Sequence, residues 1–163
     1  GIEMFVSIIL IIIYLIVAHN ISYVLLKNRI VNRQKWDLNI CCGETDGGGV
    51  NADIMKHSKV KKYKKIDDIY NLPFANNQFD TVLCSHVMEH VEDPERFFEE
   101  LNRVGRNVTI VIPPLWDIGA VLNVLEHKRI FLTWRKEHTQ LPSHIDLPFS
   151  SFIHEKVGQM INC

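Results

Sequence analysis

The first 26 residues of this chain almost lack charge. Glu3 is the single charged side chain there, and all 18 Lys and Arg and 18 of the 19 Asp and Glu come later. The rest of the chain is therefore formally balanced. No basic surplus points to nucleic acid, and no such partner is expected. Cysteine is scarce: Cys41, Cys42, Cys84 and Cys163, with no C-x-x-C pair. That excludes a disulfide framework or a zinc ribbon and leaves free, partly buried thiols as the default. Internal repeats and low-complexity tracts are missing too. With 163 residues, the chain can bury one core but not two large ones.

What is present first is hydrophobic length. "MFVSIILIIIYLIVAHNISYVLL" runs from Met4 to Leu26, and only its last third is softened, by His19, Asn20 and Ser22. About 20 apolar residues cross a bilayer core. No basic stretch precedes the run and no small-x-small cleavage site follows, so it differs from a secretory signal. Lys27, Arg29, Arg33 and Lys35 follow directly and would hold that end in the cytoplasm. The expectation is a single-pass membrane anchor over residues 1–26, a basic linker over 27–36 and a cytoplasmic domain over 37–163. The alternative is a buried helix of a soluble fold. Six lysines in "KHSKVKKYKK" (56–65) form either a solvated face or a patch toward an anionic surface.

The domain alternates short apolar runs with polar connections. "WDLNICC" (36–42), "VNADI", "VKKYKKI", "FDTVLCS" and "NVTIVIPP" suggest strands. "PERFFEELNRV" has apolar residues at 97, 98, 101 and 104, Pro94 in its first turn and Gly105 after its end, which predicts a helix. "LWDIGAVLNVLEHKRIF" suggests another helix, then a strand-like "RIFLTW". Strands apolar on both faces argue for an α/β, mostly parallel sheet.

In such a sheet, ligands bind beyond the carboxyl ends of the strands. The first strand runs into Gly43 and a loop with Gly47, Gly48 and Gly49. The loop is neither G-x-G-x-x-G nor a P-loop; close backbone approach to a ligand and a plain turn both remain open. Asp53 ends the second strand, where a carboxylate can take both hydroxyls of a ribose; a solvated acid is the alternative. Asp68, followed by Ile69, stands where a carboxylate could accept an adenine amino proton. After the fourth strand comes His86-Val-Met-Glu89-His90. This fits H-x-x-E-H, a zinc-hydrolase signature, which would need a third protein ligand and a base.

In this order, "LNICCGE", "ADI" and "DIYNLPFANNQFDTVLCSHVMEHVEDPERFFEELNRVGRNVTIVIPP" resemble a class I S-adenosylmethionine-dependent methyltransferase of the type-11 group. The likeness covers about residues 37–114. It implies a Rossmann-like sheet with S-adenosylmethionine across its carboxyl edge. Asn39, Cys41 and Gly43 would then face the methionine end, Asp53 the ribose, Asp68 and Ile69 the adenine. Ser85 and His86 would line the methyl-transfer side, with His86 as the candidate base. Two positions depart from the family: Asn39 replaces an acid and Cys41 a glycine. The loop also leaves no room for a long first helix. The family explains Ser85 to Pro94 as one unit, with Glu89 and His90 serving the helix behind the fourth strand.

Only 49 residues follow Pro114, so a C-terminally shortened sheet is expected. The substrate side would then be minimal, completed by the membrane surface, or shared with a partner or a second copy. The reading is a membrane-anchored methyltransferase acting on a small-molecule or lipid acceptor, with no metal. Its rivals are a catalytically inactive scaffold of the same fold and, more remotely, the zinc hydrolase.

Overall fold

A computed structural model describes residues 1–57, 59–123 and 126–148. Five parallel strands form its centre: β1 (Trp36–Ile40), β2 (Gly48–Asp53), β3 (Tyr63–Lys65), β4 (Phe79–Ser85) and β5 (Gly105–Val111). β6 (Arg129–Phe131) pairs with β8 (His144–Asp146) in a separate two-stranded sheet, and β7 (Glu137–His138) joins β5 antiparallel. The main sheet runs β3-β2-β1-β4-β5-β7. The order reverses between β1 and β4, the switch point at which an open α/β sheet binds its ligand. The expected Rossmann-like, mostly parallel architecture is what the strands build.

The sheet is buried because its strands are apolar on both faces. Leu38, Ile40, Val82, Cys84 and Ile110 are fully buried and share one core with Phe97 and Leu101 of the helix Pro94–Val104. Asp93 caps that helix by accepting from Arg96 N–H at 3.0 Å, and Pro94 occupies its first turn, as the sequence pattern predicts. Close packing explains Gly105: a Cβ there would lie 2.2 Å from Val82 Cγ2. Gly49 is similar, since a Cβ would lie 2.2 Å from Trp36 O. That glycine lets β2 lie against β1; it does not face a ligand.

The N-terminal segment is one continuous helix, Ile2–Asn32. It comprises α1 (Ile2–His19), a π-helical stretch (Asn20–Leu26) and α2 (Lys27–Asn32); the domain helices are α3 (Pro94–Val104) and α4 (Ile118–Val121). It is long and apolar enough to cross a membrane, and only 6% of its most apolar window is buried. One face meets the domain. Tyr14, Ala18 and Ser22, four residues apart, lie on it. Tyr14 OH donates to Trp116 O at 2.7 Å, His19 Nδ1 lies 3.3 Å from Asp117 Oδ1, and the fully buried Ser22 Oγ accepts from Lys136 Nζ at 2.8 Å. The stretch read as a linker is therefore helical through Asn32. Its Ile30 and Val31 pack with Trp36, Leu83 and Val111. The long second helix expected after Pro114 is only Ile118–Val121 among the described residues. Cys163 lies outside them.

Candidate functional site

β1 and β2 are joined by seven residues, 41–47, with no helix. A parallel crossover usually takes a dozen or more. Here the chain turns back at once, and polar side chains hold it. Asn39 is buried and its Nδ2 donates to Thr45 O at 2.8 Å and to Asn51 Oδ1 at 3.1 Å. Asn51 Oδ1 also accepts from Gly47 N–H, and its Nδ2 donates to Asp46 Oδ1 and Lys61 O. Asn39 thus ties the return loop to β2.

Cys41 and Gly43 both have positive φ, 51° and 53°. A cysteine therefore holds the left-handed turn that glycine would favour. Cys41 is disulfide-bonded, so the free-thiol expectation does not hold there. Cys42 and Cys84 are free and buried. Burial first, and Asp53 second, push the Cys42 thiol up to about 12, so it supplies no thiolate.

Asp53 is buried at the end of β2. Its Oδ2 accepts Gly43 N–H at 2.8 Å and lies 3.6 Å from His57 Nε2, while Oδ1 accepts Met55 N–H at 3.3 Å. Cys42 Sγ also donates to Oδ2 at 4.0 Å; a carboxylate offers about four lone-pair sites, so acceptor capacity remains chiefly on Oδ1. Asp68 is exposed, with Oδ1 accepting Tyr70 N–H at 2.8 Å. Ile69 belongs to the core cluster.

The other half of the edge is built differently. After Ser85 the chain turns at His86, whose φ is +57°. Residues 86–92 form a turn, and helix begins only at Pro94. The H-x-x-E-H histidines are therefore not stacked on one helical face, and Glu89 and His90 do not belong to α3. Arg129 explains the turn. Its buried guanidinium donates to the carbonyls of Met88 (3.1 Å), Val91 and Glu92 (3.0 Å), and to Asp146 Oδ1 (2.9 Å). Lys128 N–H donates to Glu89 O at 2.8 Å, and its Nζ pairs with Glu92. Three carbonyls answered by one buried guanidinium fix the path of the loop with charge-assisted hydrogen bonds. Sequence reasoning missed Arg129 and Lys136; the signal was a charged pair, Lys128-Arg129, leading an apolar "IFL" run.

His86 is covered. Its Nε2 accepts from Lys136 Nζ at 2.8 Å, its Nδ1 lies 3.3 Å from Glu89 Oε1, and Tyr23 of the N-terminal helix sits 5.0 Å away ring to ring. Both ring nitrogens are engaged inside the fold. Burial lowers its pKa, only partly countered by Glu89. Burial also lowers Lys136, to about 8, with Glu89 and Asp117 opposing. Glu89 is itself fully buried. Burial would raise its pKa, but His86, His90 and His127 outweigh that and hold it at about 2. The His86 separation is an ion-pair distance without hydrogen-bond alignment, and neither Glu89 oxygen accepts a well-formed hydrogen bond. Ser85 Oγ is likewise buried without a partner.

Two observations bear on a bound cofactor. A Cβ on Gly43 would meet nothing within 4 Å, so backbone faces open space beside Asp53. Across the switch point, Ser85 Oγ waits for a polar partner. These groups suit a ligand carrying hydroxyls and an ammonium-bearing end, as S-adenosylmethionine does.

A mostly parallel sheet with this strand order and a switch point between β1 and β4 defines a Rossmann-like fold. The family model for a methyltransferase domain matches residues 49–112. That segment is a class I methyltransferase domain of the type-11 group, and the family's cofactor is S-adenosylmethionine. An uncharacterised protein, MJ0638 of Methanocaldococcus jannaschii, is 37% identical over 57 residues, 35% of this chain and 24% of the relative. The chain thus spans about a quarter of that relative's length. Among solved structures, a methyltransferase of Methanosarcina mazei is 16% identical at a TM-score of 0.41, covering 82% of this chain and 83% of that one. A methyltransferase of Aquifex aeolicus is 12% identical at 0.42, covering 59% and 68%. A Haloferax volcanii methyltransferase complexed with the activator Trm112 is 13% identical at 0.42, covering 58% and 54%.

Proposed function

We propose that this chain is an active, membrane-anchored methyltransferase whose domain stands on the cytoplasmic face and modifies a small-molecule or lipid acceptor. The observation that carries the reading is the open backbone at Gly43 beside the buried Asp53. Gly43 would face the methionine end of the cofactor, Asp53 its ribose and Asp68 its adenine, with Ser85 on the methyl-transfer side. The bound cofactor supplies an electrophilic methyl group; the protein supplies proximity and orientation. Asp53, fixed by two backbone N–H groups, presents its remaining lone pairs without reorganising. Cys42, held as a thiol, does not compete for the methyl group.

The anchor shapes the acceptor side. Apolar surface continues from the helix onto the domain: Trp116 meets Tyr14, and Ile118, Leu122 and Trp134 are exposed nearby in sequence or by contact with Trp116. Tryptophan at this boundary suits the headgroup level of a bilayer, and residues 2–13, about 18 Å of helix, then enter the membrane beyond the contacts of Tyr14, His19 and Ser22 with the domain. The domain then lies against the membrane and takes its acceptor from that surface. The topology follows from Lys27, Arg29, Arg33 and Lys35.

The inactive-scaffold reading draws on the Asn39–Asn51 lock and the missing crossover helix. Membranes containing the full chain, supplied with methyl-labelled S-adenosylmethionine, separate the two. Label in the lipid or small-molecule fraction, lost in Gly43→Val, is expected. Label equal to that of membranes without the chain would favour the scaffold.

A further inference from the structure

We infer that Glu89, His90 and His127 form a binding site for one divalent first-row transition-metal ion. One atom from each lies within 4.8 Å of the others. The carboxylate is the starting point. Glu89 is 1% exposed; His86 Nδ1 lies 3.3 Å from Oε1 without hydrogen-bond alignment, and Oε2 has no partner among the described residues. An orphaned buried acceptor calls for an ion, a water or a role.

His90 supplies the direction. Its Nδ1 lies 2.8 Å from Glu126 O. A carbonyl only accepts, so Nδ1 carries the hydrogen. Nε2 then points its lone pair toward Glu89 Oε1, 4.0 Å away. An outer carbonyl that fixes the tautomer and frees the other nitrogen is how metal-bound imidazoles are held. Two acceptors facing each other are favoured by a positive charge between them, either a proton on Nε2 or a cation.

His127 favours the cation. It is buried, its ring lies edge-on to His90 with centroids 4.9 Å apart, and among the described residues its ring has no hydrogen bond. A proton on His90 serves only the pair with Glu89; a shared ion engages all three groups. Donors about 2.1 Å from one tetrahedral ion sit roughly 3.4 Å apart, so small rotamer changes close the site. Two imidazoles and a carboxylate select Zn²⁺, Co²⁺ or a similar ion over Mg²⁺ or Ca²⁺ and leave a position open. His90, with a quarter of its side chain exposed, gives the entry path. His86 is not a ligand: its nitrogens are committed to Lys136 and Glu89. The motif histidine one would pick first from H-x-x-E-H is thus replaced by His127, 37 residues beyond His90.

The full chain, purified in detergent and stripped with chelator, is titrated with Co²⁺ followed by visible absorption, then with Zn²⁺ by calorimetry. One ion per chain is expected, with a cobalt spectrum of mixed nitrogen and oxygen ligation. His127→Ala should weaken binding by about tenfold or more, while His86→Ala leaves the stoichiometry at one. Circular dichroism of His127→Ala checks that it folds; if it does not, His90→Gln takes its place. Substoichiometric binding, or equal affinity in folded His127→Ala or His90→Gln, would overturn the site.

Discussion

The two halves of the sheet's carboxyl edge spend their polar groups in opposite ways. At β1–β2, neutral amides are satisfied against one another: Asn39 and Asn51 close the loop, and Asp53 is steadied by backbone N–H groups. At β4–β5, charged groups are buried with capacity left over: Glu89 has two unfilled oxygens, and Lys136 and three histidines crowd around it. The first half buys its short loop with hydrogen bonds that need no partner. The second is stable only because the segment after residue 126 clamps it. Cofactor binding draws on the spare lone pairs of the first half, and ion binding on the unmet charge of the second.

Breaking the clamp should have the largest effect. Arg129→Ala leaves the carbonyls of Met88, Val91 and Glu92 unanswered. The expected loss is about 3–5 kcal/mol of unfolding free energy, read from a urea midpoint or from failure to accumulate folded protein. An unchanged midpoint would mean that the turn holds itself.

Asn39→Asp probes the quiet half. It restores the family's acid, yet should destabilise by about 2 kcal/mol. Asn39 Nδ2 faces two acceptors, Thr45 O and Asn51 Oδ1, and an aspartate has nothing to donate. A stabilised Asn39→Asp in thermal melts would show that the amide lock is incidental.

Lys136 gives a pH signature to the charged half. Burial lowers its folded pKa to about 8 from the ordinary 10.5. Above pH 8 the unfolded chain holds this proton while the folded chain releases it, so stability rises with pH. From about pH 8 upward the Cys42 and Cys84 thiols act in reverse, because folding keeps both protonated. In melts with chelator, the stability advantage of the parent chain over Lys136→Met should therefore grow by about 1 kcal/mol between pH 8 and 9, with the variant itself losing stability across that window.

The smallest effect belongs to Tyr14→Phe, which removes one exposed hydrogen bond to Trp116 O. About 0.5 kcal/mol is expected, with the helix still docked through Ser22 and Lys136. Protease accessibility of the Trp116 region would show whether Tyr14 matters more.

Much of this was legible in the chain. β4 and α3 followed from an apolar run and from helical spacing, because local pattern and tertiary packing agree there. The 86–92 turn was not, since a guanidinium some forty residues away holds it out of helix. Asn39 looked like a lost acid; its amide makes sense only with Asn51 brought beside it by a loop without a helix. His19 and Ser22 looked like flaws in an apolar helix and are its contacts with Asp117 and Lys136.

The most direct measurement is calorimetric titration of the full chain in detergent with S-adenosylmethionine and its demethylated product. One-to-one binding, with affinity reduced by about tenfold or more in Gly43→Val, is the result predicted by an open cradle at Gly43 beside Asp53. No heat from either ligand at millimolar concentration, from a chain shown to be folded, would contradict it.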